Sequence, residues 1–139
     1  MHKTRILNNL KATSDFAKEI VELILKADKP LYLLLSGDLG AGKTTFTKQL
    51  LLNLGVKQNV TSPTFVIMNQ YQVNDLVINH MDAYRLDKTS DVEMYFDEFD
   101  EAINIIEWPG NLNVDWTNFK TIKLCFKIID EDTRQVEVN

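Results

Sequence analysis

Residues 31–44, LYLLLSGDLGAGKT, decide how the rest of the chain is read. LYLLL (31–35) is a continuous apolar run, the pattern of a strand buried on both faces inside a parallel sheet. GDLGAGKT, Gly37 to Thr44, satisfies G-x-x-x-x-G-K-[ST] at every fixed position. From about Lys43 to Leu54, Phe46, Leu50 and Leu54 then fall on one face of a helix that Gly55 stops. Strand, glycine-rich turn and helix in that order are the context the motif requires. With average residue usage, an accidental match in a chain this long arises roughly 0.5% of the time.

The residue types follow from what a phosphate group needs. Glycines let the backbone curl so that successive N–H groups point inward at phosphate oxygens, and the helix N-terminus adds a partial positive charge. On this reading Lys43 reaches the β- and γ-phosphates and the Thr44 hydroxyl ligates Mg²⁺. The loop alone leaves ATPases, GTPases and small-molecule kinases open. The sequence has no N-K-x-D element to read guanine. Its three arginines, Arg5, Arg85 and Arg134, are scattered, whereas a kinase lid gathers several.

Upstream, Phe16, Ala17, Ile20, Leu23, Ile24 and Ala27 recur at helical spacing, predicting a helix over 13–27 capped by Thr13 or Ser14 and followed by Pro30. Downstream, FVIMNQYQV (65–73) and LVINHMD (76–82) are separated only by Asn74 and Asp75, which tolerate the positive φ of a tight turn, so an antiparallel hairpin is expected. The polar stretch 85–102 is expected to hold short helical turns anchored by Met94, Phe96 and Phe99. INIIE (103–107) reads as a further buried strand. TIKLCFKII (121–129) alternates, which suits an antiparallel or edge strand, and DEDT turns it into a last strand, RQVEV. The expectation is an α/β fold: a P-loop NTPase-like mixed β-sheet with helices packed on it and antiparallel hairpin strands. With no repeat and no Pro- or Gly/Ser-rich linker, residues 1–139 are expected to form a single domain.

Composition narrows the partners. A net charge of −5 disfavours unaided contact with a nucleic-acid backbone. Cys125 is the only cysteine, so no intramolecular disulfide is possible and a reducing compartment is expected. No stretch approaches the ~18 apolar residues of a membrane span, and MHKTRILNNLK lacks a signal-peptide core, so a soluble cytoplasmic protein is expected.

In phosphate-loop folds an acidic residue at the C-terminal end of a neighbouring apolar strand completes the Mg²⁺ shell. Glu107 ends INIIE and Asp82 ends LVINHMD. The more uniformly apolar strand is the better neighbour for LYLLL, which favours Glu107 for the metal and leaves Asp82 a second catalytic or switch role. His80 shares a strand face with Asp82 and either assists proton transfer or hydrogen-bonds structurally. Trp108 and Pro109 are either packing, or a stacking surface or partner contact.

Four elements now stand in order: GDLGAGKTT, TSPTF (61–65), HMDAYRL (80–86) and IIEWP (105–109). Together they resemble the TsaE family, also called YjeE, small bacterial ATPases of tRNA threonylcarbamoyladenosine biosynthesis, and the resemblance spans nearly the whole chain. It implies a slow, partner-dependent ATPase using ATP and Mg²⁺. It also implies work with TsaD and TsaB, with tRNA held by those partners in keeping with the net acidity. Carried over by position, Gly37, Asp38, Leu39, Gly40, Ala41, Gly42, Lys43, Thr44 and Thr45 surround the phosphates, and Thr44 and Glu107 hold Mg²⁺. Ser62 and Thr64 resemble a switch segment near the γ-phosphate, with Thr64 catalytic beside Lys43, Asp82 and Glu107. Trp108 resembles a tryptophan near the nucleotide, and Thr13 and Arg134 resemble positions that approach the base. Two alternatives are a nucleotide-dependent binding module without significant hydrolysis and a small-molecule kinase.

Overall fold

The computed structural model describes residues 2–57 and 67–139. Its centre is β2 (Leu31–Ser36), flanked in parallel by β5 (Ile103–Glu107) on one side and β6 (Thr121–Ile128) on the other. Beyond β5, β4 (Leu76–Asp82) also runs parallel, and β3 (Met68–Val73) returns antiparallel as the outer strand of the hairpin. Beyond β6, β7 (Arg134–Val138) and β1 (Lys3–Leu7) are both antiparallel. The order across the described sheet is β1-β7-β6-β2-β5-β4-β3.

The two faces of this sheet are dressed differently, and the sequence pattern shows why. Leu31, Leu33 and Leu35 of β2, with Ile78, Ile103, Ile105, Leu124 and Phe126, face α1 (Leu10–Lys26) and α2 (Lys43–Leu54). Those helices answer with Phe16, Ala17, Ile20, Ile24, Phe46, Leu50 and Leu51. Each of the Leu, Ile and Phe side chains among them contributes about 1.5–3 kcal/mol through burial. On the opposite face, Tyr32, Leu34, Met81 and Ile106 pack against Val92, Leu112 and Phe99, the last residue of α3 (Glu93–Phe99). Both faces of β2 are therefore apolar, as its unbroken run requires.

Where the second cover ends, the pattern changes. Lys123 and Lys127 of β6 are exposed and Gln135 and Glu137 of β7 are only half-buried. β6 is consequently an interior strand, antiparallel to β7 as its alternation suggests but parallel to β2, and not an edge. One open face gives the same period of two as an edge position. β1 is a further strand that the sequence pattern does not announce.

Local signals behave as their physics demands, with exceptions. The Asn9 side chain accepts a 2.8 Å hydrogen bond from Ala12 N, so α1 starts at Leu10 and neither Thr13 nor Ser14 is its cap. Gly55 ends α2 in a left-handed conformation, φ 100°, as its C-cap. Asn74 takes φ 54° in the β3–β4 turn. Phe99 is buried and anchors α3, but Met94 is 67% and Phe96 39% exposed, so two of the three expected anchors point outward. The strand expected from residue 65 starts at Met68, with 58–66 outside the described residues.

Candidate functional site

β2, β5 and β4 all end at one rim of the sheet, and the chain leaves β2 there through the glycine-rich loop. Crevices at the C-terminal ends of parallel strands are where open α/β sheets bind ligands. Gly37 has φ 136°, and a Cβ on it would lie 2.4 Å from the Phe126 carbonyl oxygen, so glycine alone fits. Gly42 has φ 103° and caps α2 with no side chain over the helix N-terminus. Ala41 N donates to Asp38 O at 3.1 Å, closing the loop on itself, and Ala41 is buried beneath it. The first N–H groups of α2 are left directed at the crevice, where an anion is favoured.

Gly37→Ala is expected to cost about 2–4 kcal/mol of stability, because backbone strain and overlap with a main-chain oxygen act together. Gly40, with φ 79° and open space where a Cβ would stand, is the comparison. Gly40→Ala is expected to cost only about 1–2 kcal/mol. Urea denaturation of the two variants measures the difference.

Lys43 opens α2 and is 5% exposed. Its ammonium donates to the Gly37 carbonyl and, at 3.5 Å, to Asp38 O, and it lies 3.9 Å from the centre of the Trp108 ring. Burial pushes its pKa down, and the charges of Glu107, Asp82 and Asp38 oppose that shift. Trp108 is held over it by an αL backbone, φ 58°, and by Tyr84, whose ring centre is 5.1 Å away.

The carboxylates come from adjacent parallel strands in register, Asp82 beside Glu107 and Glu107 beside Leu35. Glu107 is 3% exposed, and its Oε2 accepts a 2.6 Å hydrogen bond from His80 Nε2. A carboxylate oxygen accepts, so in this pair the proton is drawn on Nε2. Among the described residues, His80 Nδ1 is the one buried side-chain polar atom without a partner. His80 is thus a support for Glu107, the hydrogen-bonding option of the two sequence readings. Asp82 is less enclosed. Burial raises its pKa first of all, a hydrogen bond from Tyr84 N (3.0 Å) lowers it, and the neighbouring Glu107 charge raises it.

Two cavities flank the loop. One of 280 Å³ brings together Leu39, Gly40, Gly42, Lys43, Thr44, Thr45, Asp82, Tyr84, Glu107 and Trp108. The other, of 320 Å³, lies on the far side of Gly40 and Gly42 between Leu7, Asn9, Leu10, Thr13, Thr45, Glu131, Asp132 and Arg134. Arg134 Nε donates to Gly40 O at 3.2 Å and its Nη1 to Asp130 O at 2.8 Å, tying the final turn to the loop. Asp38 is exposed at the loop's entrance. Thr64 and Ser62 lie outside the described residues. Tyr84 and the β1–α1 residues Leu7, Asn9 and Leu10 were not foreseen. The first stands in the HMDAYRL motif without an assigned role, Leu7 ends a strand that the sequence pattern does not announce, and Asn9 and Leu10 are the cap and first residue of α1. Chemically, a hydroxyl at Thr44 and a buried carboxylate at Glu107 are hard oxygen donors that suit Mg²⁺, and the loop N–H groups with Lys43 suit polyphosphate.

The family model described as "Threonylcarbamoyl adenosine biosynthesis protein TsaE" matches residues 7–136. The chain belongs to the TsaE family. Several relatives carry the name tRNA threonylcarbamoyladenosine biosynthesis protein TsaE. That of Haemophilus influenzae is 38% identical over 100 residues, 67% of this chain and 62% of that protein. That of Rickettsia felis is 35% identical over 134 residues, 93% of this chain and 75% of its own length. In Bacillus subtilis the corresponding figures are 35% over 122 residues, 86% and 76%. The crystal structure of Bacillus subtilis YdiB superposes with a TM-score of 0.70 at 26% identity, covering 99% of this chain and 84% of that one. The fold is the P-loop NTPase-like α/β fold of this family, and the chain is a family member of tRNA threonylcarbamoyladenosine biosynthesis. Among the described residues no helix is long and apolar enough to cross a membrane.

Proposed function

We propose that this chain binds and hydrolyses ATP with Mg²⁺, in the cytoplasm, as a subunit that sustains threonylcarbamoyl transfer to tRNA by TsaD and TsaB. The observation that carries the reading is the convergence of Lys43, Thr44, Asp82 and Glu107 on one 280 Å³ cavity beside an uncapped helix N-terminus. The loop from Gly37 to Gly42 wraps the phosphates with its N–H groups, and the Lys43 ammonium exchanges its loop carbonyls for phosphate oxygens. Thr44 and Glu107 hold the metal, which supplies charge neutralisation on the transferred phosphoryl group. His80 fixes the Glu107 carboxylate by occupying Oε2. Asp82, whose burial favours its protonated form, orients the attacking water and accepts its proton. Thr13 and Arg134 border the second cavity, which on this reading receives the base and ribose. Thr64, outside the described residues, takes its catalytic role from the family resemblance alone.

The test is steady-state phosphate release from ATP with and without purified TsaD and TsaB, run alongside multi-turnover tRNA modification. Hydrolysis that rises with the partners, together with sustained modification, is the expected result. Nucleotide binding with phosphate release at background in their presence would replace the reading by a nucleotide-dependent binding module.

A further inference from the structure

On the sheet face away from the glycine-rich loop's helices, a groove of 160 Å³ opens between Tyr32, Phe96, Phe99, Val114, Trp116 and Phe119, with Asp100 at its lip. Its floor is a ring cluster: the Tyr32 ring centre lies 5.7 Å from Phe99, 5.4 Å from Trp116 and 5.0 Å from Phe119. Its walls are open to solvent, with Phe96 39% and Phe119 42% exposed and Met94 more exposed still on the same helix. Exposed rings grouped around a concavity are a feature that soluble proteins ordinarily avoid unless the surface has an occupant.

The charge around the groove identifies the kind of occupant. From Thr89 to Phe119 there is no Lys or Arg, while Asp91, Glu93, Asp97, Glu98, Asp100, Glu101, Glu107 and Asp115 fall in the same stretch. The remainder of the chain, with 15 basic and 12 acidic residues, is net positive, so the acidity of the whole molecule is concentrated in this stretch. Seven of the eight carboxylates are exposed, Glu107 being the buried one. The Asp100 charge adds to burial in pushing the Tyr32 phenol up, so its field reaches the groove floor. With Asp100 at the lip and Lys120, next to Phe119, the one cation beside it in sequence, this acidic segment disfavours phosphate backbones and anionic lipid and attracts Lys and Arg.

We propose that this groove docks a basic segment of a partner protein that inserts one large apolar side chain between Phe96, Trp116 and Phe119 while its Lys or Arg residues meet the Asp97 and Asp100 side of the rim. The aromatic cluster supplies the buried anchor and the carboxylates supply steering and register, the division of labour found at protein interfaces. This surface goes beyond ATP hydrolysis and does not depend on it. Trp116 Nε1 donates to Pro109 O at 3.3 Å, which links one wall of the groove to the turn that follows Glu107.

The experiment uses the full chain, ¹⁵N-labelled, titrated with a peptide of about a dozen residues with Leu at helical spacing and Lys elsewhere, and with its Glu-for-Lys counterpart. Expected shifts cluster on Tyr32, Phe96, Phe99, Trp116 and Phe119 with the basic peptide only. Phe96→Ala or Asp97→Lys with Asp100→Lys is expected to weaken binding about tenfold, as is raised salt, whereas Glu22→Lys on α1 leaves it unchanged. Phe96, Asp97 and Asp100 are exposed, and a thermal melt confirms that the variants fold. The proposal is overturned by absence of binding, equal binding of the acidic peptide, shifts centred on the Asp130–Asp132 turn, or an unchanged affinity in the groove variants.

Discussion

Lys43→Ala is expected to lower ATP hydrolysis in the presence of TsaD and TsaB by about 10²–10³-fold while weakening nucleotide binding far less. The two effects separate because different atoms carry them. Gly37, Gly40 and Gly42 and the open N-terminus of α2 hold their shape through backbone geometry that Lys43 does not set, so the N–H groups proposed to bind phosphate survive the substitution. The ammonium, by contrast, is the one side-chain cation lining the cavity among the described residues, and it rests on the Gly37 and Asp38 carbonyls beside the Trp108 ring. Loss of charge stabilisation at the γ-phosphate therefore falls on the rate. Phosphate release and equilibrium binding of ADP, measured on the same variant, give the two numbers. Hydrolysis within threefold of the parent would remove Lys43 from the proposed chemistry.

The core of this arrangement was legible because each signal is local. LYLLL needs two covered faces, GDLGAGKT needs a strand before it and a helix after it, and INIIE needs a place next to LYLLL; the sheet supplies all three. What escaped is non-local. KTRIL gives little sign of β1, because only Leu7 of its five residues is buried and it pairs with β7 alone, from the far end of the chain. The α1 cap escaped because Leu10 is exposed, so apolar spacing begins one turn after the helix does. Alternation in β6 could not distinguish an edge from an interior strand with one open face. In the site, adjacency of Glu107 to β2 followed from hydropathy, but the pairing of His80 with Glu107 depends on the β4–β5 register, which no single segment encodes. Phe96 was read as an anchor because hydrophobicity alone does not say which side of a short helix is covered.

Glu107→Gln and Asp82→Asn are expected to separate the metal from the proton. Glu107 faces the cavity as a buried carboxylate fixed by His80, so its amide should raise the Mg²⁺ concentration for half-maximal hydrolysis by about tenfold or more and lower the maximal rate as well. Asp82→Asn should lower the maximal rate by about 10²-fold with its Mg²⁺ dependence unchanged, since a positioned base contributes on that order. Stability distinguishes this loss from unfolding. The folded-state pKa of Asp82 is raised, so the folded protein holds that proton more tightly than the unfolded chain. Stability from this group is present below the ordinary carboxylate pKa of 3.8 and is lost as pH rises through the folded value. The asparagine, which cannot ionise and can still accept from Tyr84 N, escapes that loss. Asp82→Asn should then melt at or above the parent at pH 7 and converge with it in acid. If Asp82→Asn moves the Mg²⁺ dependence and Glu107→Gln does not, the metal belongs to β4 and the roles of the two strands exchange.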